Sequence, residues 1–290
     1  MEIQHYNIKQ TSNSTKVGWH QCWHGLSRLE ECNALKTAEL HRTIKEEAHR
    51  LGCLSWIEFE VDILLSLITR IKTLGMTMIE LGAGYGEWCI ASTGVVRNNL
   101  VPTEVKSIKC YAVEAEPTHA KWTRQHFNEL KLEGKVFECA ISGENGICQF
   151  TLEDDPSYYY GQSMVHSGGI IQAINKLIKK RRIHVHEQTL DTLISDMGLL
   201  GTVIVIMDVQ DAEIEVLKGA ENTIKNKLVD YWIIATHNKR YHQQLQNLLI
   251  PHYSLEIDMK PYTIAKYKDI KVKVWDGIQI YSKKQCEVCD

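Results

Sequence analysis

Three glycines in alternate positions follow a short apolar segment, and glycines arranged in this way can bind a nucleotide. The segment is 76–81, and the glycines are Gly82, Gly84 and Gly86. Glycine tolerates positive φ and lets backbone N–H groups approach a ligand closely. Glu80 precedes the first glycine by two residues, and Glu87 stands where the dinucleotide fingerprint G-x-G-x-x-G has its last glycine. The pattern predicts a ligand-binding turn after a buried strand, although a turn without any ligand can have the same sequence.

A second carboxylate closes the next apolar segment, Cys110 to Val113, and this residue is Glu114. A carboxylate at the end of the second strand can accept two hydrogen bonds from the free hydroxyls of a ribose. Glu114 lies about 30 residues after Gly84, whereas a nicotinamide dinucleotide site places its acidic residue after ~20. The spacing therefore argues against a nicotinamide dinucleotide.

These two groups together resemble motifs I and II of the class I S-adenosylmethionine (SAM) methyltransferases. The segment 203–220 is similar to the D-V-x-G-A-E-x-x-V-L-x-G-A signature of FkbM-type methyltransferases, and 189–193 is similar to their T-L-D-x-L element. Further similarity lies at 114–117, 140–142 and 160–162, and the resemblance spans roughly residues 76 to 250. The sequence departs from the family pattern at Asp211, where the family usually has glycine. This departure affects any role that needs positive φ at that position, although Asp tolerates the left-handed conformation better than most residues.

The resemblance implies that SAM is the cofactor. It assigns cofactor-binding positions to Glu80, Gly82, Gly84, Gly86, Glu114, Ala115, Ile141, Ser142 and Asp208. It assigns acceptor-binding positions to Tyr160, Gln162 and His242. We expect methyl transfer to a hydroxyl of a sugar or secondary metabolite, with a small molecule, a sugar or a peptide as the acceptor.

Two residues are candidates for the catalytic base, which must remove the proton of a hydroxyl acceptor. Asp208 follows the apolar segment 203–207, and His237 follows the apolar segment 231–236. Both are predicted to lie at carboxyl ends of parallel strands, where ligands bind in open α/β sheets. Asp208 could instead orient the amino group of SAM, and His237 could instead cap the helix that follows it.

Two other functions remain open from the sequence. N-methylation of a peptide side chain or another amide-bearing acceptor is the alternative within the enzyme class. A non-catalytic SAM-fold binding protein is the alternative from another class, although a retired site need not keep the glycine pattern.

No metal site is predicted. Asp208, Asp211 and Glu213 could hold Mg²⁺, but at this spacing only some of them can face one ion. The pair Cys286 and Cys289 lacks the two further ligands that a zinc site needs.

The composition is that of an ordinary globular protein, with 24% charged and 44% hydrophobic residues in 290. The formal net charge is −3, so no global basic field indicates nucleic acid or a membrane surface as a partner. The N-terminus lacks an apolar signal core, no stretch approaches ~18 apolar residues, and we expect a cytoplasmic protein. The nine cysteines then indicate reduced thiols.

Alternating strand and helix patterns predict an α/β fold: a doubly wound, mostly parallel seven-stranded sheet of the Rossmann-like, class I methyltransferase type. Predicted strands cover 76–81, 109–114, 135–141, 203–209, 231–236, 254–259 and 277–281. Residues 1–74 are predicted to be an N-terminal helical region, with helical patterns from about Trp19. These helices could also mediate the formation of a homodimer. Residues 75–290 are predicted to form the SAM-binding methyltransferase domain.

An insertion is predicted at about 143–202, at the edge of the sheet where substrate lids often lie. It carries a basic stretch, 179–182, which could contact an anionic acceptor or could be the solvated end of a helix.

Overall fold

The computed structural model describes residues 19–22, 26–29, 35–154, 163–164 and 181–284. Its helices are α1 Leu35–Arg50, α2 Trp56–Arg70, α3 Glu87–Arg97, α4 Pro117–Glu129, α5 Leu190–Ser195, α6 Glu213–Lys218, α7 Glu221–Lys225 and α8 Lys239–Leu249. Its strands are β1 Trp19–Gln21, β2 Ser27–Leu29, β3 Gly75–Leu81, β4 Ser107–Glu114, β5 Gly134–Glu138, β6 Ala140–Ile141, β7 Gly146–Leu152, β8 Ser163–Met164, β9 Arg181–Gln188, β10 Thr202–Met207, β11 Tyr231–Thr236, β12 Tyr253–Met259, β13 Ile264–Tyr267, β14 Ile270–Lys273 and β15 Gly277–Lys283.

Seven strands form the central sheet, in the order β12-β15-β11-β10-β3-β4-β5. Neighbours from β11 to β5 are parallel, and β15 runs antiparallel to both β11 and β12. The predicted fold class, a mostly parallel α/β sheet of seven strands, is confirmed. The order reverses between β10 and β3, so the carboxyl ends of these two strands form the crevice in which an open α/β sheet binds ligands.

Both faces of the sheet are covered by helices, and β3 shows this in its own sequence. Met76 and Met78 belong to one buried cluster, together with side chains of α2 and α3. Ile79 and Leu81 belong to a second cluster on the opposite face, together with side chains of α5, α6 and α8. Because successive strand residues point to opposite faces, a strand buried on both sides is a continuous apolar segment.

The N-terminal part differs from the prediction at its start. The prediction of helix from about Trp19 is wrong there, because β1 and β2 pair antiparallel in a two-stranded sheet. Helices α1 and α2 do form, and α2 begins with a capping box in which Ser55 and Glu58 bond each other's backbone N–H groups. Phe59 and Ile63 of α2 lie in the same buried cluster as β3. The boundary at residue 74 and the homodimer through these helices stay predictions.

The predicted strand 135–141 is wrong at Cys139, where the chain leaves the central sheet. Residues 134–138 form β5, whereas β6 pairs parallel with β9 in a separate four-stranded sheet of order β6-β9-β7-β8. Arg181 and Arg182 begin β9 and are exposed, so this half of the basic stretch is extended rather than helical. Tyr160, Gln162, Cys286 and Cys289 lie outside the described residues.

The T-L-D element at 189–191 has a structural role. Thr189 caps α5 by accepting a hydrogen bond from the Thr192 N–H at 3.2 Å. The Asp191 carboxylate accepts from the backbone N–H groups of Asn222 and Thr223 at the start of α7. Burial tends to raise the pKa of Asp191, but these hydrogen bonds outweigh it and lower the pKa. The element therefore fixes α5 against α7 behind β10. In the part of the chain that is described, no helix is long and apolar enough to span a membrane.

Candidate active site

The glycine turn packs directly against the end of β10. Gly82 has φ of 74°, and a Cβ built on it would collide with the carbonyl oxygen of Asp208. Asp208 in turn donates its N–H to the Leu81 carbonyl oxygen at 3.0 Å. Only glycine permits this close approach at positive φ. The turn thereby brings the end of β10 beside the end of β3.

The backbone N–H groups of the turn are used within the protein. Gly82 and Ala83 both donate to the Val113 carbonyl oxygen, at 3.0 and 3.1 Å, and Gly86 donates to Ala83 at 2.7 Å. Gly84 donates to Glu114. All four N–H groups are thus hydrogen-bonded within the protein. Contrary to the expectation, they are not available to bind a ligand group such as a phosphate. A Cβ at Gly84 meets nothing within 4 Å, so the backbone there is open to a ligand.

Glu80 lies beneath the start of α3. Its carboxylate accepts hydrogen bonds from the N–H groups of Trp88 at 3.1 Å and Cys89 at 3.0 Å. Burial raises the pKa of Glu80 to about 8, although these two hydrogen bonds oppose the shift. The side chain satisfies N–H groups that have no partner inside the helix, and it fixes α3 after the glycine turn.

Glu114 connects the ends of β3 and β4. Its Oε2 accepts from the Gly84 N–H at 2.6 Å and its Oε1 accepts from the Glu116 N–H at 2.8 Å. Burial raises the pKa of this carboxyl group, against the attraction of His119 and the two hydrogen bonds. Each oxygen keeps a second lone pair, so the carboxylate can still accept hydrogen bonds from a diol.

A cavity of about 440 Å³ lies over these groups. Seven of the predicted cofactor positions line it, namely Glu80, Gly82, Gly84, Glu114, Ala115, Ile141 and Asp208. Gly86 and Ser142 do not line it: Gly86 packs toward Thr123, and Ser142 N–H bonds the Gln188 carbonyl oxygen. The volume is within the range of ~300–1,000 Å³ that small-molecule sites have.

A histidine lies between two carboxylates, of which only Asp208 lines the cavity. His237 Nε2 is 3.2 Å from Asp208 Oδ1, and His237 Nδ1 is 3.1 Å from Glu213 Oε1. Burial lowers the pKa of His237, but the hydrogen bonds and charges of the two carboxylates outweigh it and raise the pKa to about 11. Glu213 is only 1% exposed, whereas half of the Asp208 side chain is accessible. The His237 imidazolium therefore bonds the buried carboxylate of Glu213 on one side and the accessible carboxylate of Asp208 on the other.

His242 is not part of this site. It is buried, its Nδ1 lies 2.8 Å from Thr236 Oγ1 and its Nε2 lies 2.6 Å from Asp258 Oδ1. The Gln279 amide donates to the same carboxylate oxygen at 3.2 Å. Both ring nitrogens are thus occupied, and the ring does not line the cavity. These bonds join α8 to β12, and the acceptor-binding role of His242 stays a prediction that the cavity lining does not support.

Comparison with protein families identifies the family of this chain. The model described as "Methyltransferase FkbM domain" matches residues 89–263, which is more than half of the chain. The chain belongs to the FkbM methyltransferase family. Its enzyme class is therefore that of the SAM-dependent methyltransferases. No curated protein sequence matches the chain.

Solved structures similar to this FkbM methyltransferase are distant in sequence. The precorrin-6y C5,15-methyltransferase of Geobacter metallireducens is 11% identical, with 78% of this chain and 88% of that chain covered and a TM-score of 0.40. A putative RNA methyltransferase of Pyrococcus horikoshii is 13% identical, with 79% and 83% covered and a TM-score of 0.39. A protein of M. capricolum, solved with S-adenosylhomocysteine, is 12% identical, with 78% and 69% covered and a TM-score of 0.33.

The FkbM signature contains one unusual backbone segment in this chain. Gln210 and Asp211 both have positive φ, 52° and 73°. The position where the family usually has glycine thus needs the left-handed conformation, and Asp adopts it more readily than most other residues. The turn directs Gln210 back toward Asp208, and the Gln210 amide donates to Asp208 Oδ1 at 3.1 Å.

Several cavity residues of the FkbM methyltransferase come from the two ends of the chain and were not predicted. Helix α2 contributes Trp56 and Glu60, and the segment before β15 contributes Trp275 and Asp276. A carboxylate on the apolar face of an amphipathic helix, four residues after Trp56, is the one signal in the sequence that could have indicated Glu60. Among the described residues, no group of three or more His, Cys, Asp or Glu side chains has the arrangement of a metal site.

Proposed function

We propose that this FkbM methyltransferase transfers a methyl group from SAM to a hydroxyl of a sugar or another small metabolite. One observation carries the proposal: the accessible carboxylate of Asp208 lines the same cavity as the glycine turn and Glu114. A base and the groups suited to a nucleoside thus face a common space. Methyl transfer needs donor and acceptor held in line, so positioning in one cavity is the main requirement.

The residues present fit SAM. The open backbone at Gly84 allows a ligand to lie against the turn, and Glu114 offers two oxygens to the ribose hydroxyls. Ala115, Ile141 and Phe150 supply apolar cavity wall beside Glu114, which suits a base ring. When bound, SAM supplies an electrophilic methyl group on a sulfonium sulfur.

The acceptor hydroxyl must lose its proton as its oxygen forms the bond to the methyl carbon. We propose that the Asp208 carboxylate accepts this proton, because it is accessible in the cavity. His237 carries a proton at neutral pH, since its pKa is raised to about 11, and an imidazolium cannot accept a second one. His237 is therefore a positioning residue that orients Asp208, and it is itself oriented by Glu213. This assignment replaces the expectation that His237 is a base.

The test is transfer of a labelled methyl group from SAM to a panel of sugars, metabolites and peptides. Fragmentation of the product by mass spectrometry identifies the methylated atom. We expect an O-methyl product, formed only by protein with Asp208 intact. An N-methyl product would instead support the amide or amine alternative, and binding of SAM without transfer to any acceptor would support a binding protein.

A further inference from the structure

The charged side chains that line the cavity are of one sign. Among the cavity residues that the structure describes there is no lysine or arginine, and the histidine present is His119. The carboxylates are Glu60, Glu80, Glu87, Glu114, Asp208 and Asp276. Glu80 is occupied by the start of α3, and Glu114 belongs to the proposed nucleoside end. Glu87 accepts a hydrogen bond from the Tyr85 hydroxyl and Asp208 is paired with His237, which leaves Glu60 and Asp276 without an assigned role.

Glu60 lies close enough to Asp208, Glu87 and Asp276 to be influenced by each of them. Burial raises the pKa of Glu60 well above its ordinary value, and repulsion from Asp208, Glu87 and Asp276 adds to the rise. Glu114 is influenced by a different set, His119 and Glu116. Both Glu60 and Glu114 line the one cavity.

Asp276 completes this acidic group from the other end of the chain. Burial raises the pKa of Asp276 to about 6, with Asp208 and Glu213 adding to the rise and His237 opposing it. With this pKa, the Asp276 carboxyl group is ionised in most molecules at neutral pH. The imidazolium of His237 is already flanked by Asp208 and Glu213, so it does not neutralise the whole group.

Aromatic side chains accompany the carboxylates. Trp56, Trp88 and Trp275 line the cavity, and Trp56 also hydrogen-bonds Glu60. The faces of indole rings attract cations, and a carboxylate next to an indole strengthens this attraction. The same rings give the cavity an apolar wall against which a carbon skeleton can pack.

We infer that the acceptor of this methyltransferase carries a positive charge, as a hydroxyl-bearing amine does, and that its ammonium group is bound by Glu60 and Asp276 among the three tryptophans, next to the Asp208 that takes the hydroxyl proton. The inference rests on the proposed function and names its substrate class. A phosphorylated or carboxylated acceptor would be repelled here and would find no basic side chain among the described lining residues. Arg181 and Arg182, which could have bound an anion, lie in β9 and do not line the cavity.

The test uses three compounds with one carbon skeleton and different charge: 1-amino-1-deoxysorbitol, sorbitol and sorbitol 6-phosphate. The full chain is first saturated with S-adenosylhomocysteine, whose binding is checked by calorimetry. Saturation-transfer NMR at pH 7 then gives the dissociation constant of each compound. We expect the amine to bind about tenfold or more tightly than sorbitol, and the phosphate to bind more weakly than sorbitol.

Matched variants show whether the preference originates in the cavity. Asp276→Asn removes one charge from the acidic group and should reduce the preference for the amine over sorbitol at least threefold. Asp269→Asn removes the same charge from the turn between β13 and β14, where the side chain is fully exposed, and should leave the preference unchanged. Equal effects of the two variants would show that the preference comes from the net charge of the whole protein and not from the cavity, and would overturn the inference.

The outcomes separate this inference from the proposed function. If S-adenosylhomocysteine does not bind, the proposed function fails. If it binds and sorbitol or its phosphate binds as tightly as the amine, or if none of the three compounds binds, the inference fails while the proposed function stands.

Discussion

The backbone N–H of Gly84 donates a 2.6 Å hydrogen bond to Oε2 of Glu114, across 30 positions of sequence. The bond joins the turn after β3 to the end of β4, and it orients a buried carboxylate toward the cavity. Because burial disfavours the charged form, each hydrogen bond that Glu114 accepts helps to keep the carboxylate ionised and in place.

Replacement of Glu114 should weaken the cofactor more than the fold. We expect Glu114→Ala to reduce SAM affinity by ~1–3 kcal/mol, because charge-assisted hydrogen bonds to the ribose hydroxyls are lost. Calorimetry with SAM measures this, and Glu133→Ala, an exposed carboxylate, is the control. Unchanged affinity in Glu114→Ala would refute the assignment of the nucleoside end, and so would an NAD affinity that rivals that of SAM.

Replacement of Asp208 should separate its two candidate roles. Asp208→Asn keeps the size of the side chain and removes its charge, so we expect turnover to fall ~10²-fold or more, the scale of base and positioning effects. SAM affinity measured on the same variant tells the roles apart. Retained affinity supports the base, and a parallel loss of affinity supports orientation of the donor. Near-normal turnover would contradict both.

The His237 ion pairs should make stability depend on pH at alkaline values. The pKa of His237 is about 11 in the fold and 6.5 ordinarily, so the folded state binds the proton more tightly. The contribution is fully present below pH 6.5 and is lost as pH rises toward 11. We expect the difference in unfolding free energy between wild type and His237→Gln to be constant below pH 6.5 and to shrink by pH 10.

Urea unfolding at several pH values measures this difference. His184→Gln is the control, because His184 is an exposed histidine in β9. A difference between wild type and His237→Gln that does not change between pH 6.5 and 10 would show that the imidazolium is not held by the two carboxylates.

Two glycines of one turn should respond differently to alanine. Gly82→Ala places a methyl group against the Asp208 carbonyl oxygen at positive φ, and we expect a loss well above ~2 kcal/mol. Gly84→Ala meets nothing within 4 Å and should cost only the ~1–2 kcal/mol of the left-handed backbone. Denaturant unfolding compares the two. Gly84→Ala should nevertheless weaken SAM binding, because its methyl group points into open space at the cavity.

The sequence by itself determined the central elements. Apolar patterns located β11 at the residues predicted, 231–236. The order of strand and helix patterns also determined a parallel sheet, and with it the edge at which Glu114 and Asp208 would meet. These features depend on neighbours within a few residues, on the period of strands and helices and on the backbone freedom of glycine.

Only the tertiary structure decided which distant side chains meet. Glu213 belongs to a signature rich in acidic residues, yet it is buried and lies 3.1 Å from the ring of His237, 24 positions further along the chain. Glu60 and Asp276 are more than 200 positions apart in the sequence, yet both line the cavity together with Asp208. Cys139 leaves the central sheet because β6 finds a partner in β9, more than 40 residues away. Each of these depends on contacts between segments far apart in sequence, and no local pattern encodes which segments will pack together.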